Sequence, residues 1–175
     1  MQINIEDISA KHLLILSLQN HFFAGNGFVL LSAQDNVTDN FLQAILSLNG
    51  IKKILLTAQT LAAFYDDTTN KDELRLLLMA ETDDYFAQSE PMTISPFCGN
   101  LHEAVETLAD VFIRPTLNRD NGDLDILRIE DNTVFVRLTG HCAGCPFAQN
   151  TLNNVIAKTF QKYMPQIEKV EVEEK

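Results

Sequence analysis

The chain has 175 residues, 46% of them hydrophobic, with 24 acidic against 13 basic side chains and a formal net charge of −11. That apolar content fills a core and excludes a disordered chain, and the length suits one large domain or two small ones. The acidic excess excludes the clustered Lys and Arg of a nucleic-acid footprint and attraction to an anionic membrane, and no apolar run approaches the ~20 residues that span a bilayer.

The first stretch, "MQINIEDIS", has neither the basic head and apolar run of a secretory signal nor an Arg-rich transit pattern. With three cysteines, an odd number, the expected setting is a reducing compartment with thiols or metal ligands. "HLLILSL" (12–18) and "FVLLS" (28–32) are strand-like, with the turn chemistry of "AGNG" between them. From Asp39 onward, Phe41, Leu42, Ile45, Leu46 and Leu48 recur at helical spacing, and Asn49-Gly50 provides a stop because Gly takes the left-handed conformation. "IKKILLT" (51–57) and "TLAAFY" (60–65) read as a hairpin, and a second helix runs from Asn70 to about Phe86, with Asn70 and Glu73 at capping-box spacing. "AQSEPMTISPFCG" (87–99) carries two prolines and no apolar period, so it is the expected linker.

Asn100 and Glu103 form a second capping box, opening a helix whose apolar face is Leu101, Val105, Leu108 and Phe112. Pro115 ends or kinks it, since its ring disfavours helical geometry at Arg114. After the turn "RDNGDLD", strands at 124–130 and 133–140 are joined by Asp131-Asn132, a tight hairpin signal. Val134, Val136 and Leu138 share one face of the second strand, with Phe135 and Arg137 opposite. A helix from Pro146 to about Met164 buries Leu152, Val155, Ile156, Phe160 and Tyr163; Pro165 ends it, and "IEKVEVE" forms a third strand. The expected class is α+β: two small α/β domains at 1–86 and 100–175 around the 87–99 linker, the second an α-β-β-α-β unit with a three-stranded sheet.

"HCAGCPF" (141–147) sits between the second strand and its following helix and holds Cys142 and Cys145 two residues apart. Such a pair suits a redox switch, half a zinc site or half an iron–sulfur site. Pro146 fits the first helical position, and the unpaired N–H groups and dipole of a helix start favour thiolate over thiol. Ala143 and Gly144 leave room for a bulky inorganic group. Zinc and iron–sulfur clusters take about four protein ligands, and the chain clusters two thiols. Cys98 lies on the linker, and His12, His21, His102 and His141 are scattered. Two chains about a twofold axis would supply four thiolates. A thioredoxin-like site commonly has Pro between its cysteines after a Trp-Cys pair; this chain has no Trp and places Pro after the second cysteine. "GNG" at 25–27 is a turn lacking any phosphate-loop pattern. Asp66, Asp67, Asp83 and Asp84 read as solvated helix and turn ends without EF-hand spacing.

From residue 101 to 173 the chain closely resembles the C-terminal domain of the NifU/Nfu family, which carries iron–sulfur clusters. The markers are Ile113-Arg114-Pro115, Gly122-Asp123, Arg137-Leu138-Thr139-Gly140, Cys142-x-x-Cys145-Pro146 and Thr151-Leu152. The family's Asp-Gly-Gly-Asp reads Asp120-Asn121-Gly122-Asp123, and Asn tolerates a left-handed turn. His141 stands where a small residue is usual. Residues 1–86 resemble, less closely, the N-terminal domain accompanying this module in Nfu proteins, with "EDISAK" in place of the usual Thr-Pro-Asn-Pro-Asn.

The resemblance implies a non-enzymatic scaffold or carrier in which two subunits share one 4Fe–4S cluster, each giving Cys142 and Cys145, and pass it to apo-proteins. A 2Fe–2S cluster also suits four thiolates. The implied partners are a second copy of the chain, iron–sulfur assembly donors and apo iron–sulfur enzymes, with no nucleic acid and no membrane. The first domain would recognise partners, and the acidic surface favours basic ones. The compartment would be the bacterial cytoplasm, or the mitochondrial matrix for an organellar mature form. A thiol–disulfide oxidoreductase and a structural zinc module remain alternative uses of the same pair.

Overall fold

The computed structural model describes residues 2–88, 91–95, 99–143 and 152–173. It divides into two compact units, Met1–Phe97 and Cys98–Lys175.

The first unit is an antiparallel sheet of β1 (Ile3–Ile8), β2 (Leu13–Leu18), β3 (Phe28–Ser32), β4 (Ile51–Thr57) and β5 (Thr60–Tyr65), in the order β1-β2-β5-β4-β3. β2 and β3 are consecutive strands but do not pair; β2 lies between β1 and β5, and β3 forms an edge beside β4. Helix α1 (Asn40–Leu46) starts where the Asp39 carboxylate accepts the Leu42 N–H at 2.9 Å. Gly50, expected to stop this helix, is left-handed at φ 85° but lies past the C-cap, Ser47, in the turn that leads into β4. Helix α2 (Lys71–Gln88) is capped by Asn70, whose side-chain oxygen accepts from the N–H groups of Asp72 and Glu73. β1 was absent from the sequence-based elements: it is an edge strand whose half-buried alternation presents little apolar surface.

Both helices cover an apolar sheet face. Phe22, Phe41, Tyr85 and Phe86 form an aromatic cluster with ring centroids 4.7–5.6 Å apart. Ile54, Leu56 and Leu61 beneath are fully buried, each contributing about 1.5–3 kcal/mol. Part of the expected linker belongs to this assembly. Met92 and Ile94 pack on the core, and the Met92 N–H reaches the Phe22 carbonyl at 2.7 Å. Gly27 leaves room for Ile94, whose Cδ1 would lie 2.6 Å from a Cβ built there.

The second unit follows the expected α-β-β-α-β order. Helix α3 (Leu101–Leu108) starts at Asn100, which accepts the Glu103 N–H at 3.1 Å. The coil then widens into a π-helical stretch, Ala109–Ile113, before α4 (Arg114–Asn118). Pro115 therefore does not end the helix: the wider turn accommodates its ring and missing N–H. The wider turn also shifts the buried face. Val111 and Ile113 enter the core in place of Phe112, which is half-buried and stacks on Tyr163 at 4.8 Å. β6 (Gly122–Glu130) and β7 (Thr133–Gly140) pair antiparallel through Asp131 and Asn132, at φ 45° and 63°, the left-handed pair of a tight hairpin. Val134 and Val136 are fully buried and Leu138 nearly so, as their shared face requires. The next described helix comprises a π-helical turn, Leu152–Ala157, and α5 (Lys158–Tyr163). β8 (Lys169–Val172) closes the sheet parallel to β7, giving the order β6-β7-β8. The expected helix start at Pro146 lies outside the described residues. Among those residues, no helix is long and apolar enough to cross a membrane.

Candidate functional site

Cys142 follows directly from β7. The strand ends at Gly140, which sits at φ 62° and pairs in register with Gly122 at the start of β6. A Cβ on Gly140 would meet the Asn121 carbonyl oxygen at 2.4 Å, so both the backbone conformation and the close approach call for glycine. Two hydrogen bonds then fix the turn. The His141 N–H donates to the Asn121 carbonyl at 2.9 Å, and the Ala143 N–H donates to the Gly140 carbonyl at 3.1 Å. Asn121 is itself left-handed at φ 55°, a conformation that Asn tolerates, and its N–H donates to the Asn118 carbonyl at 3.0 Å. The 118–122 and 140–143 turns thus hold each other.

The Cys142 side chain turns inward, and the residue is 9% exposed, while His141 and Ala143 are exposed. The reason is Gly122: a Cβ built there would lie 2.1 Å from Cys142 Sγ and 3.1 Å from its Cβ. The sulfur fills the space that any larger residue at 122 would occupy.

Arg114 braces this arrangement from the helical side. Its guanidinium donates to Asp110 Oδ1 at 2.9 Å, Glu106 Oε2 at 2.8 Å and the Leu124 carbonyl at 3.3 Å. Its Nε lies 3.6 Å from Asp123 Oδ1. The residue is buried, yet burial's pressure against the charge is outweighed by the Asp110 and Glu106 carboxylates, which hold the guanidinium above its ordinary range. These contacts maintain helical angles at Arg114, φ −57° and ψ −42°, although a following proline disfavours them. They also tie Asp123 and Leu124, immediately after Gly122, to the helix. Neither the ion pairs of Arg114 nor the contact of Gly122 with Cys142 has a local signal in the sequence, where the two residues stand out as part of the Arg-Pro and Gly-Asp pairs.

Cys145 and Cys98 lie outside the described residues. Of the four histidines, His141 adjoins Cys142, and His12 sits edge-on to Tyr65 at 5.5 Å in the first unit. Asp66 organises a turn, accepting from the Thr68 N–H and both the Thr68 and Thr69 hydroxyls. Asp84 accepts from Gln88, while Asp67 and Asp83 are exposed. Thiolate is a soft ligand suited to iron–sulfur clusters and zinc.

Residues 105–171 match the family model described as the NifU-like domain. Over 67 residues the chain is 40% identical to the human mitochondrial NFU1 iron-sulfur cluster scaffold homolog, covering 38% of this chain and 26% of that protein. The corresponding protein of Drosophila persimilis is 36% identical over 67 residues, covering 38% and 24%. The chain thus spans about a quarter of the length of these relatives. Among solved structures, protein SAV1430 of Staphylococcus aureus aligns with a TM-score of 0.41 at 17% identity, covering 47% of this chain and 99% of that one.

Proposed function

We propose, from the NifU-like domain at residues 105–171, that the protein is an iron–sulfur cluster scaffold or carrier. In this reading two subunits hold one 4Fe–4S cluster through Cys142 and Cys145 of each and pass it to apo-proteins. The observation that carries it is the placement of Cys142: a thiol just past a strand end, within the matched stretch, whose sulfur lies against Gly122.

The geometry suits transfer. The amides on either side of Cys142 are hydrogen-bonded, so its backbone position is fixed while the sulfur moves. Rotation about its side chain lifts Sγ from Gly122 and presents it to the cargo, and the empty space that remains allows it to return. Thiolates of an incoming apo-protein replace Cys142 and Cys145 in turn, and the two subunits separate as their shared ligand leaves. Cluster binding and dimerisation are linked equilibria, each favouring the other. The protein transforms no substrate in this role and is not an enzyme. The first unit recognises donors and recipients, and the setting is a reducing one, cytoplasm or mitochondrial matrix.

Anaerobic reconstitution with iron and sulfide tests the reading. The expected product is a coloured dimer with four iron and four sulfide per two chains, absent from the Cys142→Ser, Cys145→Ser double variant. A cluster held by a monomer or by that variant would overturn the shared site. Purification with about half a zinc per chain and no colour would favour a structural zinc site, and turnover of a disulfide without iron would favour a redox enzyme.

A further inference from the structure

The first unit carries an apolar feature that its core does not use. Leu76 and Leu77 on α2 are the exposed large hydrophobic residues among those described, 67% and 41% exposed. Leu77 lies four residues before Glu81 and seven before Asp84, so the three share one side of the helix. That side borders an open groove of about 190 Å³ between α1 and α2, with Phe41, Ala44 and Tyr85 on its lining and Glu81 and Asp84 beside them. An exposed leucine thus leads into a partly aromatic groove edged by carboxylates. Of the nearby cations on α2, Lys71 is paired with Asp7 at 2.6 Å, and Arg75 acts on the same Asp7. The groove keeps its negative character.

We infer that this groove docks a basic amphipathic segment of a partner protein. An apolar side chain would cover Leu77, and a lysine or arginine about one helical turn away would enter between Glu81 and Asp84. Burial of the leucine supplies the apolar part of the binding, while the two carboxylates select a cationic partner and reject an acidic one. The inference deepens the carrier reading and rests on it for the identity of the partner as a donor or recipient; the binding itself does not depend on a cluster.

The test uses the full apo chain, labelled for NMR, and an 18-residue amphipathic helical peptide of Leu and Lys. The expected result is saturable shifts of the Ala44, Leu77, Glu81 and Asp84 amides, with no matching response to the same peptide carrying Glu for Lys. Affinity should fall at least tenfold in Glu81→Lys, Asp84→Lys and in Leu76→Ser, Leu77→Ser. The charge-matched Asp67→Lys, Glu168→Lys variant should change it less than threefold. Circular dichroism verifies that each variant is folded. Equal loss in the charge-matched variant would reduce the binding to net charge and overturn the proposal, as would shifts confined to other surfaces. An apo dimer dispersed by Leu77→Ser would assign the groove to a second copy and overturn it too. Cluster loading is read separately: peptide binding without cluster loading sinks the carrier reading alone, and loading without peptide binding sinks the docking site alone.

Discussion

Gly122 and Cys142 share one space: a Cβ at residue 122 would come within 2.1 Å of the cysteine sulfur. Gly122→Ala should therefore push Sγ outward or shift the start of β6. Because the neighbouring 118–122 and 140–143 turns are locked by hydrogen bonds, the strain is not dissipated locally. The expected cost is about 1–3 kcal/mol of stability, the usual range for overpacking. Thermal unfolding measures that cost, and thiol labelling of Cys142 should become faster in the variant. An unchanged labelling rate with unchanged stability would show that the sulfur does not rest on Gly122.

Arg114 joins two carboxylates of its own helical run to the beginning of β6. Arg114→Ala leaves Glu106 and Asp110 facing each other without their cation and removes the bond to the Leu124 carbonyl. The carboxylates are partly exposed, so the loss should be about 2–4 kcal/mol, at or below that of breaking a fully buried pair. Arg114→Lys keeps the charge but not the fork, and should recover part of the loss. Urea unfolding of the three proteins gives the order; equal stability of the alanine and lysine variants would remove the geometric role.

Elements with a regular period and clear terminators were legible. Asn70 and Asn100 cap the helices that their capping-box spacing indicated, and Asp39, where the first apolar period begins, caps the helix that follows it. Local sequence did not reveal relations formed across the chain. Gly122 meets Cys142 only after the β6–β7 hairpin closes, and Arg114 finds Asp123 only when the helix packs on that hairpin. The face change at Phe112 was hidden because a π-helical turn alters the period on which the reading relied. For the candidate site, Cys142 and its strand-end position were readable from the motif, whereas its burial was not, since that depends on the missing side chain of a distant glycine.

Acid should weaken the first unit through its turn and edge carboxylates. Asp66 titrates below its ordinary value, chiefly because the Thr69 and then the Thr68 hydroxyl donate to its charged form. Asp7 is also lowered: the Lys71 and Ser9 hydrogen bonds overcome the opposing effect of burial. A carboxylate depressed in the folded state contributes stability above its unfolded pKa, roughly 3.9, and loses it as pH falls through the lower folded value. The contribution is therefore intact at neutral pH and disappears below about pH 4. Asp66→Asn should reduce stability at pH 7 and flatten the acid limb. Hydrogen exchange of the β5 amides between pH 7 and pH 3 reads the effect within this unit; identical acid limbs would rule out Asp66 as a contributor.

If the cluster is the shared ligand, then cluster content and dimer content must move together. The 19.7 kDa chain should double its mass in solution on reconstitution, and iron chelation should return it to the starting mass. Dilution of the loaded protein should bleach the cluster absorbance in step with dissociation, because a separated subunit retains only Cys142 and Cys145, too few for a cluster needing four ligands. Conversely, raising protein concentration at fixed iron and sulfide should increase loading per chain. Paired absorbance and sedimentation measurements over a hundredfold concentration range make the comparison. Cluster absorbance that survives complete dissociation would mean that a single chain supplies every ligand, and the two-subunit site would have to be abandoned.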